Sequence, residues 1–330
     1  MFKFFCIFCF PLFLSAQDVQ HYVYFNRDRD RIKTDYYFLQ LDSIAGAQLK
    51  YAWAELEVSK GKFDFSEIEQ DLAFLESKDK KLFIQLQDVS FDTGIVNVPD
   101  YLLTKKRFRG GVATQYFFKS NNENHPVVEG WVARRWDKRV RRRFHKLLRK
   151  LGQAFDGKIE GINLAETSIE FGNGPLHPEG FSYEAYLKAI LHNMKVLKNA
   201  FSSSVAMQYA NFMPGEFLPW TDNGYLDSLY SYAKEKGIAM GGPDLLPYKK
   251  GQMANIYNFM HQDTSLIIGI AVQQGNYRHV HPKTKRRFSI EQLRDFAKDY
   301  LGAEYIFWSP QEPFYTRDLA PFLQSNTNNN

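Results

Sequence analysis

The spacing of apolar residues along the 330-residue chain switches back and forth between two periods. Short alternating or continuous apolar runs predict strands at 21–28, 46–53, 81–87, 159–164, 204–211, 237–244, 266–274 and 303–308. Between them apolar residues recur every three or four positions, which predicts helices over 35–45, 67–77, 138–155, 183–201, 225–237, 251–262, 290–301 and 316–324. Ser66, Ser182 and Ser289 stand just ahead of three of these helices, where a hydroxyl can accept from a free backbone amide. Gly237 and Gly302 stand where two of them stop. Strands and helices alternate with no break in composition. The closure this pattern predicts is α/β, a single (β/α)8 TIM barrel. The alternative is an open doubly wound sheet. No glycine-rich phosphate loop follows the first strand, which counts against a nucleotide-binding version of that sheet.

Two stretches fall outside the alternation. Residues 88–136 form a long loop after the third strand, with Tyr101, Phe108, Tyr116, Phe117, Phe118 and Trp131 spread through it. A loop of that length in a compact domain is functional or disordered, and its aromatic residues favour an ordered wall over a barrel mouth. The N-terminus, MFKFFCIFCFPLFLSAQ, has a basic start, an apolar stretch and a small-residue site at Leu14-Ser15-Ala16. This is the pattern of a cleaved secretory signal over 1–16, too short to span a membrane as a mature helix. Cys6 and Cys9 both lie in it, so the mature chain would lack cysteine and depend on its core. The expected product is a barrel over 17–324, secreted or periplasmic, with a disordered polar tail at 325–330.

Charge alters this picture little. The formal net charge of +5 is concentrated in the runs at 134–150 and 283–287. In the first run Val140, Phe144, Leu147, Leu148 and Leu151 have helical spacing, so its arginines and lysines fall on an outer, solvated face. That reading is favoured over a nucleic-acid site, and no transmembrane span is expected. Aromatic residues make up 16% of the chain, which suits either core packing or stacking on sugar rings.

In a barrel, residues just past the carboxyl end of each strand share one pocket. Read in order they are Trp53 and Glu55; Gln85, Gln87 and Asp88; Glu166; Tyr209 and Asn211; Asp244; Gln273, Gln274, Asn276 and Tyr277; and Trp308, with Glu312 beyond. No histidine pair with ligand spacing accompanies them, so neither a metal nor a cofactor is expected. Carboxylates, amides and aromatic rings suit a carbohydrate partner. Acids and amides bond hydroxyls, rings stack on sugars, and a carboxylic acid can protonate a leaving oxygen. Glu166 closes the buried run KIEGINLAE, at a point where an acid can still reach water.

Residues 51–65, YAWAELEVSKGKFDF, resemble the W-x-x-L-E-P-x-x-G-x-Y-D-F segment that follows the second strand of family 42 β-galactosidases and related clan A glycoside hydrolases. The likeness lies in Trp53, Leu56, Glu57, Gly61, Asp64 and Phe65, with Val58 in place of the usual proline. The resemblance implies a (β/α)8 hydrolase with its acid/base at Glu166 and a sugar platform at Trp308. It also implies a nucleophilic Glu at the end of strand seven, where this chain has Gln273 and Gln274, and an Asn before the acid, where it has Ala165. An amide cannot form a glycosyl ester, so three readings stay open. In the first, the second carboxylate lies elsewhere. Asp244 is then preferred, at the ~6.5–9.5 Å spacing of an inverting pair, with Glu312 and Asp88 in reserve. In the second, the amide positions a neighbouring group of the sugar in a substrate-assisted route. Or the chain binds carbohydrate without turnover. Glu57 reads as the support of a loop.

Overall fold

The structure is a computed structural model that describes residues 18–118, 125–172, 174–263 and 265–327. The expected signal over 1–16, with Cys6 and Cys9, lies outside these residues, as does most of the polar run at 120–125. The strands are β1 (Gln20–Asn26), β2 (Ile44–Ala52), β3 (Lys81–Gln87), β4 (Val89–Ser90), β5 (Val112–Phe118), β6 (Pro126–Ala133), β7 (Gly161–Leu164), β8 (Val205–Tyr209), β9 (Ala239–Gly242), β10 (Ile268–Val272) and β11 (Ala303–Trp308). Eight of them close into a parallel barrel in the order β1-β2-β3-β7-β8-β9-β10-β11, with β11 paired back to β1. The chain is therefore a single (β/α)8 barrel. The long loop after β3 carries the other three strands as an antiparallel sheet, β4-β6-β5.

Side chains on these strands point alternately to the barrel axis and to the helices. On the axis side, Tyr22, Phe83, Met207, Tyr209, Tyr305 and Phe307 form their own cluster, with Phe83 and Phe307 edge to face at 4.9 Å. Rings of this size fit only where facing strands give up their side chains. A Cβ on Gly161 would lie 2.7 Å from the Phe83 ring, and one on Gly241 2.7 Å from the Tyr209 ring. The glycines in these strands are part of the interior packing. Above the rings the interior turns polar, and Gln48 Nε2 donates across the barrel to Asn163 Oδ1 (3.0 Å) and to the Tyr209 hydroxyl (2.9 Å).

The outer layer follows from helix amphipathicity. The helix Lys138–Phe155 buries Val140, Phe144, Leu147, Leu148 and Leu151 and leaves its basic residues exposed or half-exposed. Some element bounds depart from expectation. The helix expected at 35–45 is only Tyr36–Gln40: Asp35 caps it, Leu41 turns extended, and β2 starts early at Ile44. The helix expected at 251–262 is broken at Asn255 into Lys250–Ala254 and Ile256–Gln262. The Asn255 side chain accepts from the Leu218 amide and donates to the Gly251 carbonyl, in competition with the helical bonds. At the C-terminus the last helix runs Ala320–Thr327, so the first residues of the expected tail are helical, and 328–330 lie outside the described residues. Among the described residues no helix is long and apolar enough to cross a membrane.

One buried carboxylate ties the loop after β2 to its neighbours. Glu57 is fully buried and accepts from Trp53 Nε1 (2.9 Å), the Gly61 amide (2.8 Å), the Tyr101 hydroxyl (3.1 Å) and the Arg143 guanidinium. It thereby joins β2, the long loop and the helix Lys138–Phe155. Its removal strands a half-buried guanidinium and three donors. Glu57→Ala is expected to lower the free energy of urea unfolding by about 3–5 kcal/mol; a loss below about 1 kcal/mol would mean that the four contacts contribute little.

Candidate active site

Two carboxylates stand at the carboxyl-terminal mouth of the barrel, each two residues past its strand. Glu166 follows β7, Asp244 follows β9, and β8 runs between them. Glu166 lines a cavity of about 300 Å³ together with Tyr24, Lys50, Gln85, Gln87, Tyr209 and Gln273. The long loop closes one side, with β4 and residues Phe91, Asp92, Ile95 and Asn97 facing the cavity. The loop is thus an ordered wall in its described part.

The backbone of Glu166 is gripped from below. Arg135 forms a bidentate, buried ion pair with Asp88, and its Nη1 donates to the Glu166 carbonyl (2.9 Å) and the Tyr186 hydroxyl (2.7 Å). Tyr186 in turn donates to the Thr167 carbonyl at 2.9 Å. The long loop, the turn after β7 and the helix Tyr183–Ala200 therefore meet at one guanidinium. This engagement leaves Asp88 as a structural counter-ion of Arg135.

The carboxyl of Glu166 has less support than its backbone. Its Oε2 has a long contact of 3.5 Å with Asn211 Nδ2. Burial is the main influence on it, followed by the negative charge of Asp244, and together they push the carboxyl from the ordinary 4.5 up to about 7. Arg135, Lys50 and Asn211 act in the opposite direction with smaller effect. Asp244 is held by Asn276, whose Nδ2 donates to Asp244 Oδ1 at 2.9 Å. Asn276 Oδ1 accepts from the Leu245 amide (3.1 Å) and the Gln273 amide (2.8 Å), which brackets the ends of β9 and β10.

Of the residues expected at the site, Glu166, Gln85, Gln87 and Tyr209 line the cavity, with Gln273. Asn211 contacts Glu166, while Asp244, braced by Asn276, does not line the cavity and reaches Glu166 through its charge. The others stand elsewhere. Trp53 is fully buried against Phe144 on the helix side, where its indole bonds Glu57. Trp308 is fully buried, and its Nε1 donates to His21 Nδ1 at 2.9 Å. Trp308 is one position out of phase with the axis-facing residues of β11, and Trp53 lies past the end of β2 in the short helix Trp53–Leu56. Tyr277 donates to the Ser309 carbonyl (2.7 Å) and stacks on Phe314. Glu55 pairs with Arg27 and Arg29 at the surface. Gln274 is exposed in the turn after β10. Glu312 accepts from Thr316 Oγ1 at 2.7 Å, away from the cavity.

Sequence reasoning passed over Tyr24, Lys50, Arg27 and Arg135. Lys50 carried a usable signal, since a lysine inside the apolar run GAQLKYAW at axis-facing phase has to meet the pocket. It also passed over a second cleft of about 530 Å³ beside the first. Phe171, His177, Phe181 and Tyr183 form one wall of it, and Phe212 and Phe217 belong to the other. Phe212 and Phe217 stack at 5.7 Å, and Trp220 continues the row on Phe217 at 5.5 Å with 73% of its surface exposed. The Thr167 hydroxyl, one residue past Glu166, donates to the Phe212 carbonyl at 2.7 Å, so both clefts share the loops after β7 and β8.

Fold and mouth together define a (β/α)8 barrel with two carboxylates, amides and aromatic rings at the carboxyl-terminal end of its strands. In fold the chain is similar to the catalytic domain of a β-amylase from Paenibacillus polymyxa, with a TM-score of 0.58 and 10% sequence identity over 94% of this chain and 98% of that one. It is also similar to xylanase 10B from Thermotoga petrophila RKU-1, whose structure holds xylobiose, with a TM-score of 0.52 and 11% identity over 89% and 83% of the two chains. Both are glycoside hydrolases, and at these identities the likeness is one of fold. No protein family and no curated protein matches the sequence.

The state of Glu166 has a thermodynamic consequence. Its folded pKa lies above the unfolded value, so between about pH 4.5 and 7 the native state holds a proton that the unfolded chain releases. Stability from this group therefore falls as pH rises through that window and stays low above it. Glu166→Gln lacks the titration. Its stability relative to wild type is expected to grow by on the order of 2–3 kcal/mol between pH 4 and pH 8 in urea unfolding; a pH-independent difference would mean an ordinary carboxylate.

Proposed function

We propose that the protein is an exported glycoside hydrolase that cleaves a poly- or oligosaccharide with inversion. The observation that carries this reading is the Glu166 carboxyl, raised to about 7 in a concave pocket, with Asp244 close enough to contribute to that rise. Two carboxyl groups whose environments separate their protonation are the requirement of acid and base on one bond. Glu166 gives its proton to the glycosidic oxygen as the bond to the anomeric carbon breaks. Asp244 takes a proton from the water that attacks the same carbon from the opposite face. The amides of Gln85, Gln87 and Asn211 bond sugar hydroxyls. The stacked row Phe212, Phe217 and Trp220 lies where the further units of a chain would run, which favours an extended glycan. Export rests on the basic and apolar pattern of 1–16.

A second reading, sugar binding without turnover, draws on Gln273, an amide at the end of β10 in the pocket itself. The two differ in products. With a cleaved glycan in hand, Glu166→Gln and Asp244→Asn are each expected to lower kcat about 10²–10⁴-fold, and NMR of fresh product should show the inverted anomer. Wild-type turnover in Glu166→Gln would exclude the acid role, and prolonged incubation of wild type without product would favour the binder. Trp220→Ala is expected to raise KM for long chains more than for short ones; equal effects would remove the exposed row from substrate binding.

A further inference from the structure

Lys50 lines the pocket without an ion-pair partner among the described residues. It faces the axis from β2, in register with Gln85 on β3, and lines the same 300 Å³ cavity as Glu166. Among the described residues no carboxylate forms an ion pair with its ammonium, whose nearest ring is Tyr24 at 5.8 Å. Burial holds the ammonium down to about 8, with the charge of Arg27 adding to the effect and that of Glu166 opposing it. A cation taken out of water without a partner is costly, so sites that keep one generally receive an anion. Arg27, also on the cavity wall, is engaged by Glu55 and Asn97 and only adds to the positive potential.

Glu166 cannot be the standing counter-ion. To act as an acid it must carry its proton, and in that state it is neutral. When the site is ready to react, the ammonium of Lys50 faces a cavity whose remaining lining is mostly amide, hydroxyl and ring; its other carboxylate, Asp92 on the long loop, accepts from the Gly94 amide (2.8 Å) and is not among the charges that act on Lys50. The anion then has to come with the ligand.

We infer that Lys50 makes the pocket selective for an anionic sugar, one whose ring carries a carboxylate or a sulfate ester that the ammonium receives beside Glu166. A compact ammonium with three donors bonds either group, and a charge-assisted bond in a half-buried site gives about a 10- to 100-fold preference over a neutral sugar. The proposal takes the pocket as a sugar site and so rests on the reading above, but it does not need turnover.

The test is therefore binding, measured by calorimetry in the Glu166→Gln background, where the side chain is neutral like the protonated acid and hydrolysis does not intervene. The probes are oligogalacturonate and an alginate oligomer for carboxylates, a carrageenan oligosaccharide for sulfate esters, and xylo- and malto-oligosaccharides as neutral references. At least one acidic probe is expected to bind about 10-fold or more tightly than the neutral ones, with an affinity that falls as ionic strength rises. Lys50→Met should collapse that acidic-to-neutral ratio towards one, and Lys50→Arg should retain most of it. Which acidic probe responds separates uronate from sulfate. A neutral probe that binds as well as the acidic ones, or a ratio unchanged in Lys50→Met, overturns this proposal and leaves the hydrolase reading intact. Should Lys50→Met not fold, an acidic preference insensitive to salt overturns it equally. If no glycan of any kind binds, the sugar reading of the pocket falls with it.

Discussion

A residue on a closed barrel strand faces either the axis or the helices, and the choice flips at every step along the chain. In this chain that constraint decides which side chains can act. Tyr24, Lys50, Gln85 and Tyr209 fall on axis-facing phases near the mouth and meet one another there. Trp308 falls one step away and is sealed off, and Trp53, in the short helix that follows β2, is buried against Phe144. A tryptophan that bonds Glu57 or His21 through its indole is well used, but it is out of reach of any ligand.

The same constraint divides the interior by height. Low in the barrel, large rings fill the axis and glycines on facing strands make room for them. Packing this dense leaves little room for water to solvate a charge. Higher up, Gln48, Asn163 and the Tyr209 hydroxyl give a bonded polar layer, and above it the open cavity begins. Glu166 lies just over this boundary. Its backbone is fixed by Arg135, while its carboxyl meets one long contact with Asn211 and the negative field of Asp244. A group held firmly in place but poorly solvated keeps its proton, and that is what a proton donor requires.

Much of this was legible in the sequence. Alternating periods gave the barrel, because eight strand patterns separated by helix patterns have few closures. The place of Glu166 at the barrel mouth was legible too, since it ends an apolar run where a carboxylate has to find water. Strand-end counting was less reliable for the residues around it. It treated every position near a strand end as pocket-facing, without the phase that separates Phe307 from Trp308 or the helix that carries Trp53 away from β2. The break at Asn255 and the row formed by Phe212, Phe217 and Trp220 depend on side-chain bonds and stacking between residues that no periodicity links. The likeness of residues 51–65 to a hydrolase segment found its physical content in Glu57, whose bonds to Trp53 and Gly61 span the motif and hold a loop.

The central claim is that Glu166 is a neutral acid at the pH where ordinary carboxylates are charged. A ¹³C NMR titration of the glutamate side-chain carboxyls, with the Glu166 signal assigned by its absence in Glu166→Gln, reads this directly. The account predicts a midpoint near 7 for that signal, moving down when Asp244 is replaced by Asn and its charge is lost. A midpoint near 4.5, unmoved by Asp244→Asn, would contradict it.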